Sequence, residues 1–509
     1  MNTPLRRVGV AMMALVALLL ANITYIQVID ASTYQDSTYN KRQIENEFAQ
    51  QRGLILAADG STLATSVATN DSLKYLRTYS NGPMYAPVTG YFSVSSGPHG
   101  MEFAENSVLN GSDDRLFVRR LSDLITGRNP AGGDVELTVD PKIQSAAYNY
   151  MVQHGFSGSA VAIQPSTGQV LAMVSVPSYD PNKLAGHDTT AAGQAYSSYS
   201  PTSPSSPLLN QATNAAYQPG STFKMVVSTA ALDNNVDDEN TDNLPAQPAI
   251  TLPGTSTLLH NFDSETCPGG SGGNVSMKDA LAHSCNTAFA TLAGRVGAAN
   301  LSAQAAKFGF GRSDLAVPLG VTTSCLGPAA NNNCLNIQNG APGLYQSGIG
   351  QLDVQETPLQ NAMIGATIAN GGSEMQPQLV KKILAPDLST IQDFSATTLN
   401  SSVMSSTTAS TLTDMMEASE QNSGTTCKNS SITIASKTGT AEHGNDPKNV
   451  QPYGWYVAFV PGSNGNPSPI AVAVVVTSGG NFDLATVGAK VAGPVGRSMI
   501  NTAMGDTAC

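Results

Sequence analysis

The chain has 509 residues, with 25 Lys or Arg against 37 Asp or Glu and a formal net charge of −12. That length predicts more than one domain and an ample core, while the acidity and the lack of a long basic run argue against nucleic-acid binding. The six cysteines show no Cys-x-x-Cys spacing and the six histidines are scattered, so neither a metal site nor a cofactor is expected.

Arg6 and Arg7 precede residues 8–29, an uncharged apolar run long enough to cross a bilayer. Arginines on that side predict a cytoplasmic tail at 1–7, a single-pass anchor at 8–29 and an extracytoplasmic remainder. A cleaved signal peptide is the competing reading. No small-x-small cleavage site follows the run closely, which favours the anchor. Disulfides are allowed outside the cytoplasm. Cys325 and Cys334 bracket a Gly/Pro/Asn-rich loop and form the best local pair, with Cys427 and Cys509 a weaker one. Free thiols remain the alternative.

Residues 30–51 are polar and read as a helix or an extended stalk. Residues 52–64, RGLILAADGSTLA, flank an Asp-Gly turn and predict a hairpin. The stretch 65–135 shows no chemistry, so 30–135 reads as a small module that holds the main domain off the membrane. From residue 136 onward the pattern is a helix at 143–151 and a hairpin at 158–176 about a Pro-Ser-Thr-Gly turn. Surface loops are expected at 185–207 and 265–273. Helices follow at 279–293, interrupted at 284–286, and at 359–369. A strand at 431–435 leads into residues 437–440, and two more strands cover 454–460 and 470–476. A helical block mixed with antiparallel strands is α+β.

The chemistry centres on residues 218–224, Gln-Pro-Gly-Ser-Thr-Phe-Lys. Pro219 and Gly220 break the preceding structure, so a helix is expected to begin near Ser221. Positions three apart share a helix face, which lets the Lys224 ammonium reach the Ser221 hydroxyl. Serine is a poor nucleophile until a base takes its proton. A lysine in apolar surroundings loses solvation and can act as that base near neutral pH. One Ser-x-x-Lys is a weak signal, but Ser284-Cys285-Asn286 and Lys437-Thr438-Gly439-Thr440 follow in order. The three together form a known acyl-serine constellation.

On these motifs the sequence resembles the class B penicillin-binding proteins, which are peptidoglycan D,D-transpeptidases. The likeness extends to the anchor, the 52–64 segment, the 158–176 hairpin, Gly-Ile-Gly-Gln at 348–351 and Thr-Pro-Leu-Gln at 357–360. The short front module is most similar to the actinobacterial A type. The resemblance implies a penicillin-binding, serine β-lactamase-like domain over 136–509 that acylates Ser221 with a stem peptide. Lys224 would accept the serine proton, and Ser284 would relay a proton to the leaving D-Ala. Asn286 would hold both substrate and Lys224. Lys437, Thr438 and Thr440 would dock the substrate carboxylate, and Gly439 would leave room along the strand. Backbone N–H groups of Ser221 and Thr440 would form the oxyanion hole. β-Lactams would trap Ser221, and a membrane glycan polymerase with cell-division or elongation proteins would be its partners. Cys285, His283, His443 and Glu442 are assigned no chemistry.

Two other readings stand beside this one. A β-lactamase or β-lactam sensor shares the fold, and a lactamase needs a base to activate the deacylating water. Glu356-Thr-Pro-Leu-Gln has the outline of such a glutamate loop but ends in Gln and reads as structural. A non-catalytic cell-wall scaffold is the second, and the intact Ser221, Lys224 and Lys437 speak against it.

Overall fold

The computed structural model describes residues 2–26, 47–117, 119, 125, 131–315, 317–328, 334–337, 340–444, 449–480 and 487–509. The expected stalk lies outside the described residues over 30–46, as do residues 27–29 of the expected anchor. Helix α1 (Asn2–Thr24) comes first. Its segment Arg6–Thr24 has mean hydropathy 1.9 and buries none of its surface in protein, as a candidate membrane span does.

The front module begins with β1 (Ile55–Leu56), β2 (Thr62–Ala68) and β3 (Tyr75–Tyr79), antiparallel neighbours in sequence. The β1–β2 turn closes at Asp59, whose carboxylate accepts from Ser61 N at 2.9 Å. Strand β4 (Asp134–Leu137) then runs parallel to β1. Helix α2 (Pro141–Gln153) starts where Pro141 fixes the first turn and the Asp140 carboxylate caps Lys142 N at 2.8 Å. Strands β5 (Phe156–Ile163) and β6 (Val170–Val176) form the hairpin at 158–176.

The expected loop at 185–207 instead contains helix α3 (Thr189–Ser198). The Asp188 carboxylate accepts from Thr190 N and Ala191 N at 2.9 and 3.0 Å, a strong N-cap within a composition that reads as loop. The helical block continues with α4 (Lys224–Asp233), α5 (Met277–Ala282), α6 (Asn286–Val296) and α7 (Pro358–Ala369). Next come β7 (Val380–Leu384), β8 (Thr390–Asp393) and α8 (Ser406–Gln421). The chain finishes with β9 (Ala435–Ala441), β10 (Tyr453–Phe459), β11 (Ala471–Gly479) and α9 (Gly488–Ala503).

Five strands pair antiparallel in the order β9-β10-β11-β5-β6. Side chains alternate across a strand. Ala160, Ala162, Tyr456, Val472 and Val474 therefore pack with Met151 of α2 and Val495 and Met499 of α9. Val161, Ile163, Val457, Phe459 and Ala473 face the other way, into a core shared with α4 and α7. The sheet is sandwiched between two helical layers, with β9 at its edge.

The second sheet has the order β8-β7-β4-β1-β2-β3. Late strands β7 and β8 extend the sheet that the front module begins. The expected boundary at 135/136 falls inside β4. Disulfides join Cys325 to Cys334 and Cys427 to Cys509, and a third, Cys267 to Cys285, joins cysteines left unpaired in the sequence reading.

Candidate active site

Ser221 does not open an α-helix. It sits in a 3-10 turn, Gly220–Phe223, and the α-helix proper starts at Lys224. Gly220 takes φ +56, and a Cβ there would stand 2.7 Å from Thr440 O. On the facing strand a Cβ at Gly439 would stand 2.7 Å from Pro219 O. The two glycines thus let β9 lie directly against the serine turn, a reason for Gly439 besides the expected room for substrate. Trp455, on β10, donates from Nε1 to Gln218 O at 2.8 Å and holds the turn from below.

The break between α5 and α6 carries the second motif, with Ser284 at φ 59, an uncommon backbone state for a residue other than glycine. Ser221, Ser284, Asn286, Thr438, Gly439 and Thr440 line one cleft of about 330 Å³, together with Phe262, Glu265 and His283. The Cys267–Cys285 disulfide ties the loop bearing Phe262 and Glu265 to the motif.

Lys224 and Lys437 are both fully buried and converge on Ser284. Lys224 Nζ donates to Ser284 O at 2.7 Å and to Asn286 Oδ1 at 2.9 Å, and lies 3.4 Å from Ser284 Oγ. Lys437 Nζ donates to Ser284 Oγ and to Thr438 O, each at 2.9 Å. These contacts of Lys224 are with Ser284 and Asn286 rather than with the Ser221 hydroxyl; such catalytic bonds often tighten only when substrate is bound. Asn286 Nδ2 donates to His260 O at 3.0 Å, which fixes its amide with the oxygen towards Lys224.

Burial drives the Lys224 ammonium well below its ordinary value, and the neighbouring Lys437 charge adds to the effect. Burial alone brings Lys437 to about 7. At neutral pH a neutral Lys224 amine keeps two N–H donors and one lone pair. Its two short bonds use the donors, so the lone pair is left to take a proton. The residues can therefore activate a serine hydroxyl and pass a proton through Ser284.

Two family models match the chain: the penicillin-binding protein transpeptidase domain over residues 158–501, and the penicillin-binding protein A dimerisation domain over 52–135. The peptidoglycan D,D-transpeptidase PbpA of Mycolicibacterium smegmatis is 45% identical over 99% of both chains. Its counterpart in Mycobacterium tuberculosis is 42% identical over the same share of each. The chain belongs to the penicillin-binding protein transpeptidases. Among solved structures, the M. tuberculosis penicillin-binding protein A ceftriaxone acyl-enzyme superposes with a TM-score of 0.83 at 42% identity. The match covers 90% of this chain and all of that one. The penicillin G acyl-enzyme of the same protein gives 0.81 at 41%, covering 89% of this chain and all of that one.

Within this transpeptidase fold the sequence reading missed the supports behind the motifs. Glu420 accepts from Arg497 Nε at 2.9 Å, from Tyr456 OH at 3.0 Å and from Ser436 Oγ, and so braces β9 from behind. Asn361 of α7 donates to Thr222 Oγ1 at 3.0 Å, next to Ser221. Both Glu420 and Arg497 lie in amphipathic helices, where charged residues are ordinarily solvated, and nothing local marks them as partners. His443 stacks on Tyr453 at 3.7 Å and does not line the cleft.

Proposed function

We propose that this chain is a peptidoglycan D,D-transpeptidase whose Ser221 forms an acyl-enzyme with the penultimate D-Ala of a stem peptide. The convergence of two buried lysines on Ser284, in the cleft that Ser221 lines, carries the reading. Lys224 takes the Ser221 proton, Ser284 passes a proton to the departing D-Ala amine, and Asn286 aligns Lys224 and substrate. Lys437, with the Thr438 and Thr440 hydroxyls, receives the terminal carboxylate. The Ser221 and Thr440 N–H groups stabilise the oxyanion, and each such donor is typically worth about 3 kcal/mol of barrier. A β-lactam mimics the dipeptide and leaves Ser221 as a stable ester. Glu356 is fully buried and absent from the cleft lining, so it does not supply the deacylating base a lactamase needs.

The deciding experiment labels intact cells carrying the full chain with a membrane-impermeant fluorescent penicillin, wild type beside Ser221→Ala. An adduct lasting hours, absent in the variant, is expected, and labelling before lysis places the catalytic domain outside. An adduct that turns over within seconds points to a β-lactamase, and none on a folded protein points to a scaffold. We further propose that residues 8–29 span the membrane with residues 1–7 in the cytoplasm, and that a membrane glycan polymerase is the partner. Deleting 8–29 is then expected to leave acylation intact while abolishing function in cells; full complementation by the soluble form overturns the partnership.

A further inference from the structure

Directly behind the nucleophile turn lies a carboxyl group that the mechanism above does not use. Glu356 is fully buried, and as an acceptor neither of its oxygens finds a donor. An orphaned buried carboxylate costs several kcal/mol or more, so the group calls for an account. Its backbone is paired with the serine segment: Glu356 N donates to Tyr217 O and Tyr217 N to Glu356 O, each at 2.9 Å. Tyr217 stands four residues before Ser221.

The neighbouring side chains are short of hydrogens. Thr222 Oγ1 spends its one hydrogen on Pro219 O at 3.0 Å and accepts from Asn361 Nδ2 at 3.0 Å, which leaves one lone pair unfilled. Asn361 Oδ1 is buried with no donor. A carboxylate would add two acceptors to this set and supply no hydrogen, whereas a carboxylic acid donates one. Burial also pushes the Glu356 carboxyl well above the ordinary carboxylate range, with the Thr222 side chain opposing that push. A negative charge here would further oppose the charge that develops at Ser221 during acylation.

We infer that Glu356 is a positioning residue, whose carboxyl O–H donates into the Thr222–Asn361 pair and so fixes the 219–222 turn that presents Ser221 to the cleft. It touches neither substrate nor the reacting atoms and acts through Thr222. The inference rests on the acyl-serine reading, which loss of labelling in Ser221→Ala tests independently of Glu356.

The test measures acylation of the full-length chain in detergent by a fluorescent penicillin, separating the limiting rate from the affinity. Glu356→Gln keeps a neutral group with an N–H donor and is expected to retain the wild-type limiting rate and its whole pH profile. Glu356→Met and Thr222→Val each remove one side of the contact and are expected to slow the limiting rate about tenfold with affinity little changed, as small misplacements of reacting groups do. The double variant is expected to lose no more than Thr222→Val alone, because that variant already removes the group through which Glu356 acts. An infrared difference spectrum between wild type and Glu356→Gln is expected to show a protonated-carboxyl band, a readout independent of activity and of how well Glu356→Met folds. A carboxylate band in its place, a shifted pH profile in Glu356→Gln, or additive losses in the double variant each overturn the inference.

Discussion

The front module and the catalytic cleft both bury charged groups, with opposite consequences. In the module Glu102 is fully buried, and Arg52 Nε and Arg77 Nε donate to its two oxygens at 2.5 and 2.6 Å. Tyr79 OH adds a third donor at 3.0 Å. Burial pushes the Glu102 carboxyl up, but Arg77 and then Arg52 outweigh it and hold the group below its ordinary value, charged and paired. In the cleft, Lys224 and Lys437 are equally buried and face a hydroxyl, a carbonyl and an amide. With no carboxylate among these partners, burial acts unopposed and makes proton loss easy. Burial by itself decides neither role: the partner determines whether a buried charge holds the fold or becomes a base.

The largest stability effect is expected where the pairing is complete. Glu102→Leu leaves two arginines buried beside each other without a counter-charge, and breaking such a cluster typically costs about 3–5 kcal/mol. The midpoint of chemical unfolding should fall accordingly, while penicillin acylation of the folded fraction keeps its wild-type rate. A loss below about 1 kcal/mol would mean that solvent relieves the arginines, and the contrast with the cleft would weaken.

The same contrast explains how much of the molecule was legible in sequence. The serine, Ser-x-Asn and Lys-Thr-Gly motifs are short and contiguous; the first two sit at element boundaries, and the third lies within β9. The hairpin at 158–176 and helix α7 carry equally local signals. Long-range facts carry none. Strand β7 pairs with β4 across more than half the catalytic region, and no local pattern shows that the two meet. The Cys267–Cys285 link depends on how the intervening loop returns to the Ser284 motif. Glu102 and Glu420 do not stand out in the sequence and Glu356 reads only as structural, because a charged letter records neither its burial nor its partner. The cap at Asp188 is local, but a single aspartate is a weak signal within a Ser/Thr-rich composition.

The finest test of the comparison is the pH dependence of stability with and without Lys437. Its folded value is about 7 against an ordinary 10.5. Between those two pH values the unfolded chain binds a proton that the folded chain does not. Stability is therefore complete above the unfolded value and is lost as pH falls towards the folded one; below about 7 both states hold the proton and the slope vanishes. Lys437→Met removes this dependence, so the difference in stability between wild type and variant should change by about 1.4 kcal/mol per pH unit within the window. Near neutral pH the variant should be no less stable than wild type, since apolar residues of similar volume often replace buried charges without loss. Its acylation at and below about pH 7 should nonetheless fall, because the Lys437 ammonium proposed to dock the substrate carboxylate is gone. Unfolding curves that run parallel from pH 7 to 10 would place a proton on Lys437 in the folded protein throughout, and the cleft would then resemble the module after all.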